Sequence, residues 1–359
     1  MSSFLPSIFD AATGLLPLSK SRYSGSMPEM FAVTLLSGYI VTSVILFKYP
    51  HLLHRRKQLK FPCRHISHRG GSAENLENTI SAFKHALKVG TELIELDVQL
   101  TKDGKVVVCH DSSLLRCAGV NKNISDLNYD ELPPLKPSLQ VDFCNGAPGP
   151  VCEDRKIPLL SDIFTLFPSV PVNIDIKTNN DKLVQKVHEL IKEFNREDIT
   201  VWGSFHHSVA TKCYKLNPQV PLYFSARCVV YLLFLTYSGL LPFVPLRQSC
   251  LEILLPSVAK RQERKKVMSM CPPTICRNPM MMEQLKQPKS RFLFRLLDWF
   301  VVRKFVIDHL RKRGIPTYLW VLNEKEDFEK AFAMGAAGVM TDRPTLLREF
   351  LDQNPYIGR

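Results

Sequence analysis

Two histidines, five carboxylates and two fixed cations recur along the chain beside short apolar runs. They stand in His68-Arg69-Gly70-Gly71, Glu95-Leu96-Asp97, His110-Asp111, Asp175-Ile176-Lys177 and Thr341-Asp342, with Trp320-Val321-Leu322-Asn323 before the last. Glu-x-Asp and Asp-x-Lys each put two side chains on one face of a strand. Alone each motif is weak: Glu-x-Asp is often a solvated face, Asp-x-Lys a plain ion pair, and Trp320 more often core than a substrate platform. Jointly they describe chemistry. Glu95, Asp97 and Asp175 would repel strongly if ionised together, and such a cluster is tolerable if it holds one divalent cation. All-oxygen ligation favours Mg2+ or Ca2+ over Zn2+. With no cysteine ligand and no HxxxH spacing, His68 and His110 read as acid and base. Arg69 and Lys177 suit a pair of anionic oxygens. The set describes a phosphodiester site.

Such groups must be brought to one place. Candidate strands are 65–69, 92–98, 172–177, 200–203, 221–225, 251–255, 317–321 and 338–342. Helical patterns at 78–89, 181–195, 208–216, 295–313, 325–334 and 344–352 lie between most of them. Eight strands alternating with helices predict a (β/α)8 TIM barrel, whose active site lies at the strands' carboxyl ends. The run 106–109 breaks the rule. Five residues with Asp103-Gly104 in the turn cannot make a parallel crossover, so it reads as an antiparallel hairpin arm. That arm returns His110 to the side of Glu95 and Asp97. Residues 111–156, without strong periodicity, read as an insertion.

The chain has 359 residues, 45% hydrophobic, and a net charge of +13 from 47 Lys and Arg against 34 Asp and Glu. Disorder, a disulfide miniprotein and a multi-span transporter are excluded on composition. The charge is local. Residues 48–69 carry seven basic residues and no acid; residues 256–315 carry fifteen against four. The remainder is net negative. Both stretches adjoin apolar runs. Met30 to Phe47 has 18 residues without a charge, about 27 Å as a helix, and reads as a transmembrane anchor. Lys48, Arg55, Arg56, Lys57 and Lys60 follow it, so the positive-inside rule puts the rest of the chain in the cytosol. A second uncharged run, Cys228 to Leu246, is broken by Gly239, Pro242 and Pro245. A crossing there would split the strands of one barrel across a bilayer, so it reads as a lid or interfacial loop. The basic residues after it include Lys260, Arg261, Arg264, Lys265 and Lys266. The expected organisation is a tail at 1–29, an anchor at 30–47, a basic segment at 48–60 and a barrel at 61–352. The barrel carries insertions at 111–156 and 228–250, and 353–359 is a tail. The ten cysteines form no CxxC pair, which suits reduced thiols. No aromatic–basic module accompanies the charge, so no nucleic acid is expected, and no protein partner is implied.

HRGGSAENLENT (68–79), ELIELDVQLTKDGKVVVCHD (91–110), NIDIK (173–177), WVLN (320–323) and GAAGVMTDRP (335–344) resemble the glycerophosphodiester phosphodiesterase family over about residues 61–352. The anchor and apolar insert resemble its animal membrane-anchored lysophospholipase D branch. The resemblance implies a TIM barrel with His68 and His110 as acid/base pair. It implies Arg69 and Lys177 on the phosphate, and a metal on Glu95, Asp97 and Asp175. Trp320 is a candidate substrate contact. Leu76 stands where the family has proline, and Asp175 where it commonly has the longer glutamate. The implied reaction is hydrolysis of lysoglycerophospholipids such as lysophosphatidylcholine, lysophosphatidylethanolamine or its N-acyl form. The products are lysophosphatidic acid and the headgroup or N-acylethanolamine. Alternatives are a hydrolase of water-soluble glycerophosphodiesters or phosphoinositides and a non-enzymatic membrane lipid-binding protein. The expected location is the endoplasmic reticulum or perinuclear membrane.

Overall fold

A computed structural model describes residues 27–358 apart from 62, 145–146, 256–257, 259–260 and 262–299. The tail before residue 27, Lys260, Arg264, Lys265, Lys266, Cys271, Cys276 and the start of the helix expected at 295 therefore lie outside the described residues.

The strands are β1 (His65–Ser67), β2 (Leu93–Leu100), β3 (Val106–Val108), β4 (Val172–Ile176), β5 (Thr200–Gly203), β6 (Leu251–Leu254), β7 (Thr317–Trp320) and β8 (Gly338–Thr341). They pair in the order β5-β4-β2-β1-β8-β7-β6, all parallel, with β3 antiparallel on β2. Two single bridges, Trp202 with Leu222 and Tyr223 with Cys250, fill the eighth place and close the ring. The strand expected at 221–225 shrinks to those two residues. Pro221 has no N–H for a ladder, and the chain already turns into a helix at Ser225. The closed parallel sheet is the expected TIM barrel.

The helices are α1 (Met27–Lys48), α2 (Ile80–Lys88), α3 (Leu114–Ala118), α4 (Leu160–Leu166), α5 (Asp181–Glu193), α6 (His207–Leu216), α7 (Ala226–Tyr237), α8 (Lys304–Lys312), α9 (Lys325–Ala333) and α10 (Pro344–Gln353). Their starts follow local chemistry. The Thr79 side chain accepts from Ala82 N ahead of α2, and Asn180 accepts from Leu183 N ahead of α5. Leu183, Val184, Val187 and Ile191 form the buried stripe of α5. Every residue of β2 is buried, as a strand with packed faces on both sides requires. Ile66, Leu93, Val201, Tyr223, Tyr318 and Met340 fill the barrel interior.

The helix α1 is long and apolar enough to cross a membrane, and 11% of its apolar window is buried. Its carboxyl half packs on the barrel. Tyr39 Oη donates to Ser238 O, Ser43 Oγ donates to Gly239 O at 2.7 Å, and Phe47 stacks on His309 at 4.3 Å. Two of the basic residues after it are used by the barrel. Lys57 Nζ donates to the carbonyls of Arg247 and Gln248 at 2.6 and 2.8 Å, and burial beside Arg313 lowers it to about 8. Lys60 pairs with Asp198. Arg55 and Arg56 remain exposed.

Two buried histidines set an acid limit. Burial holds both His65 and His309 down to about 4. Unfolded, each takes a proton near 6.5. Between those values the unfolded chain binds more protons, so stability is full above pH ~6.5 and falls as pH drops toward ~4. The slope is at most about 1.4 kcal/mol per pH unit for each histidine. Denaturant unfolding from pH 7 to 4.5 should show this loss, and His309→Gln should reduce its slope. An unchanged slope contradicts the assignment.

Candidate active site

The site begins where β1 ends. The chain turns through His68-Arg69-Gly70-Gly71, with Arg69 in the left-handed region at φ 51°. A non-glycine there costs about 1–3 kcal/mol and persists only where its surroundings hold it. Glu95 does so by accepting Arg69 N at 2.8 Å. Gly70 and Gly71 let the turn press inward. A Cβ on Gly70 would fall 2.8 Å from the Phe83 ring, and one on Gly71 2.6 Å from Pro344.

The register aligns Asp97 of β2 with Asp175 of β4. Two ionised carboxylates about 5 Å apart on neighbouring strands repel by about 3 kcal/mol at an effective dielectric of 20. Lys177 removes that repulsion. Its Nζ lies 2.8 Å from Asp97 Oδ1 and 2.6 Å from Asp175 Oδ2. The Arg69 Nε lies 3.3 Å from Asp97 Oδ2, and Asn78 Nδ2 donates to the same oxygen at 2.9 Å. Burial alone would raise Asp97, but Lys177 and Arg69 outweigh it and hold the carboxyl well below its ordinary range. Glu95 goes the other way: burial, then the Asp97 charge, raise it well above. Glu252 on β6 is pushed up to about 8, chiefly by burial, although Asn173 donates to it.

Both histidines are held by an aspartate. His68 Nδ1 lies 2.6 Å from Asp342 Oδ1, which also accepts from Ser72 Oγ at 2.6 Å; Asn323 Nδ2 donates to the other oxygen at 2.9 Å. His110 Nδ1 lies 2.6 Å from Asp111 Oδ1. The β3 arm delivers His110 as its hairpin requires, through Cys109 N to Asp97 O at 2.9 Å and Gln99 Nε2 to His110 O at 3.1 Å. Among the described residues, Nε2 of neither ring has a hydrogen-bond partner.

One network joins these groups. Arg116 bridges Asp111 and Glu77, and Glu77 also pairs with Arg69 at 3.3 Å. Tyr223 Oη donates to Asp175 Oδ1 at 2.7 Å. Its ring fits because Gly203 faces it; a Cβ there would lie 2.9 Å from the ring. His68, Arg69, Glu95, Asp97, His110, Asp175 and Lys177 are thus assembled at the carboxyl ends of β1, β2, β3 and β4. Trp320 is linked to His68 through Phe143, with ring separations of 6.3 and 5.8 Å. Phe143, Glu77, Arg116, Tyr223 and Glu252 escape the sequence reading. Only Glu77 carries a local signal, lying one residue before Asn78-Thr79; the others gain meaning through long-range packing.

Among the described residues, no group of three or more His, Cys, Asp or Glu is close enough to form a metal shell as it stands. Lys177 occupies the space between Asp97 and Asp175. The donor set nonetheless suits a hard divalent cation: it is all oxygen, with Glu95 and Asp97 buried and Asp175 half-buried, and burial raises Glu95, which a cation would favour in its ionised form.

A family model described as glycerophosphoryl diester phosphodiesterase matches residues 68–232. Human lysophospholipase D GDPD1 is 47% identical over 331 residues, covering 91% of this chain and 98% of the relative. Mouse lysophospholipase D GDPD3 is 38% identical over 325 residues, covering 90% and 92%. A putative glycerophosphoryl diester phosphodiesterase from Silicibacter pomeroyi superposes with TM-score 0.59 at 17% identity, over 85% of this chain and 97% of that one. One from Galdieria sulphuraria gives 0.55 at 17%, over 82% and 99%. These structures bear on the fold alone. On the sequence matches, joined to the barrel and its His/carboxylate mouth, the chain is a phosphodiesterase of the glycerophosphodiester phosphodiesterase family, in the branch of the animal lysophospholipases D.

Proposed function

We propose that the chain hydrolyses lysoglycerophospholipids to lysophosphatidic acid, releasing the headgroup alcohol. The observation that carries this reading is the pair of histidines, each tethered through Nδ1 to an aspartate, flanking Arg69 and Lys177. Tethering at Nδ1 leaves Nε2 of each ring for proton transfer. One histidine takes the proton of the nucleophile and the other protonates the departing alcohol. With water as nucleophile this gives lysophosphatidic acid directly; with the glycerol 2-hydroxyl it gives a cyclic phosphate that a water then opens, the two histidines exchanging roles as the P–O2 bond breaks. Arg69 and Lys177 face the phosphoryl oxygens. Lys177 must first leave its carboxylates, which a bound cation would allow. Glu95, Asp97 and Asp175 would hold Mg2+ or Ca2+, which would supply charge to the phosphoryl group. Trp320 and Phe143 form an aromatic edge beside His68 for the substrate.

Lipid substrates are favoured by α1 and by the relatives named lysophospholipase D. The excess of basic residues after α1 supports a barrel on the cytosolic side. The 18-residue run suits a thin bilayer such as the endoplasmic reticulum.

Three outcomes follow. The variants His68→Ala and His110→Ala should each lower kcat/KM for choline release from lysophosphatidylcholine by roughly 10²–10⁴-fold in a protein that still unfolds cooperatively. Full activity in either contradicts the acid/base assignment. Asp342→Asn should lower kcat by roughly 10²–10⁴-fold with KM little changed, because the aspartate positions His68 and touches no substrate; a rise in KM alone contradicts that role. Calorimetric titration with Mg2+ and Ca2+ should show binding that Glu95→Gln and Asp97→Asn weaken by at least roughly tenfold, and EDTA should stop turnover. Unweakened binding, or turnover surviving excess EDTA, removes the metal.

A further inference from the structure

The helix α7 takes up the first part of the uncharged run that starts at Cys228, and it is apolar on both sides apart from Arg227 in its first turn. Leu232 and Leu235 are buried against the barrel. The opposite side carries Val230, Tyr231, Phe234 and Tyr237, exposed at 67, 51, 61 and 48%. Their spacing of three and four residues sets them on one stripe. Four large apolar side chains on one helical stripe exceed the scattered exposure of an ordinary soluble surface. At 12 residues and about 18 Å, α7 is too short to span the ~30 Å bilayer core.

Both ends of α7 are anchored, and in different places. Its first residue, Ala226, donates its N–H to Phe205 O at 3.1 Å. Phe205, 63% exposed, lies two residues past Gly203, whose register partner is Asp175 of the site. The amino end of α7 therefore sits on the rim of the barrel mouth. The carboxyl end meets α1: Ser238 O and Gly239 O accept from Tyr39 and Ser43, and Tyr39 stacks on Phe243 at 6.0 Å. Exposed apolar side chains thus run from near the mouth to the membrane anchor, with one charge among them, exposed Arg227 in the first turn of α7, three and four residues before Val230 and Tyr231.

We infer that this stripe of α7, with Phe205 at its end, lies in the leaflet that α1 enters, so that substrate reaches the barrel mouth from the bilayer and not from water. The occupant is the acyl layer of a lipid surface. Continuity with α1 argues for it, since the stripe begins where a membrane-crossing helix is already hydrogen-bonded. The inference rests on the lysophospholipid reading for its delivery step and on geometry alone for its membrane contact.

The test uses the full chain in phosphatidylcholine vesicles. A photoreactive benzoylphenylalanine is placed at Val230, Phe234 or, as control, exposed Lys192 of α5. Irradiation should attach labelled phospholipid at 230 and 234 and none at 192. Absence of lipid adducts at 230 and 234, or a product of twice the chain mass, overturns the inference, the latter in favour of a second copy as occupant. In parallel, Val230→Gln/Phe234→Gln should lower hydrolysis of vesicle-borne lysophosphatidylcholine by about tenfold, while turnover of a short-chain lysophosphatidylcholine dissolved as monomers stays within about twofold. Equal loss on both substrates overturns delivery from the bilayer. Lipid adducts at 230 and 234 with no lysolipid turnover by the unmodified chain would support the membrane contact and overturn the substrate reading.

Discussion

The mouth of the barrel is governed by several carboxylates brought together out of water. Glu95, Asp97 and Asp175 sit on two adjacent strands, with Glu252 facing them from β6, and Arg69 and Lys177 pair with Asp97 and Asp175. Burial first, and the charge of neighbouring carboxylates after it, keeps the whole set from ionising at once. The structure answers by division of roles. Asp97 takes both cations and stays ionised; Glu95 and Glu252 are pushed toward the neutral form. A dianionic or cation-bearing ligand therefore finds groups that change partners on binding. Lys177 is the member that moves most readily, because its three donors sit on a flexible stem.

The scaffold follows from that centre. The left-handed Arg69 presents its backbone N–H to Glu95 and its guanidinium to Asp97. Gly70 and Gly71 allow the turn to seat against Phe83 and Pro344. The β3 hairpin sets His110 against β2, and Asp342 from β8 sets His68. Four separate segments are thus joined through side-chain bonds, and the rest of the barrel fixes their spacing.

Much of this is legible in the sequence for a physical reason: strand period and hairpin length are local. Glu95 and Asp97 share a face because they are two apart, and Asp103-Gly104 forces β3 to return antiparallel. The anchor is legible through its uncharged length. What sequence does not show is lateral registry. Nothing near Tyr223 announces that its hydroxyl will reach Asp175, and nothing near Phe143 places it between Trp320 and His68. The basic segment is read only in part. Charge counting assigns Lys57 and Lys60 to the membrane, whereas the fold spends Lys57 on the carbonyls of 247 and 248 and pairs Lys60 with Asp198. The excess charge that remains available to lipid is smaller than the count, with Arg55 and Arg56 exposed beside α1.

In the proposed function, one network, holding two aspartate-tethered histidines around Arg69 and Lys177, breaks a phosphodiester and not an acyl ester. Phosphorus NMR of vesicle-borne lysophosphatidylcholine treated with the full chain measures this directly. The account predicts that the diester resonance gives way to a phosphomonoester one, and that a His68→Ala/His110→Ala double variant leaves the diester unchanged. Release of fatty acid with the phosphodiester intact, or a double variant that turns over like the unmodified chain, would contradict it.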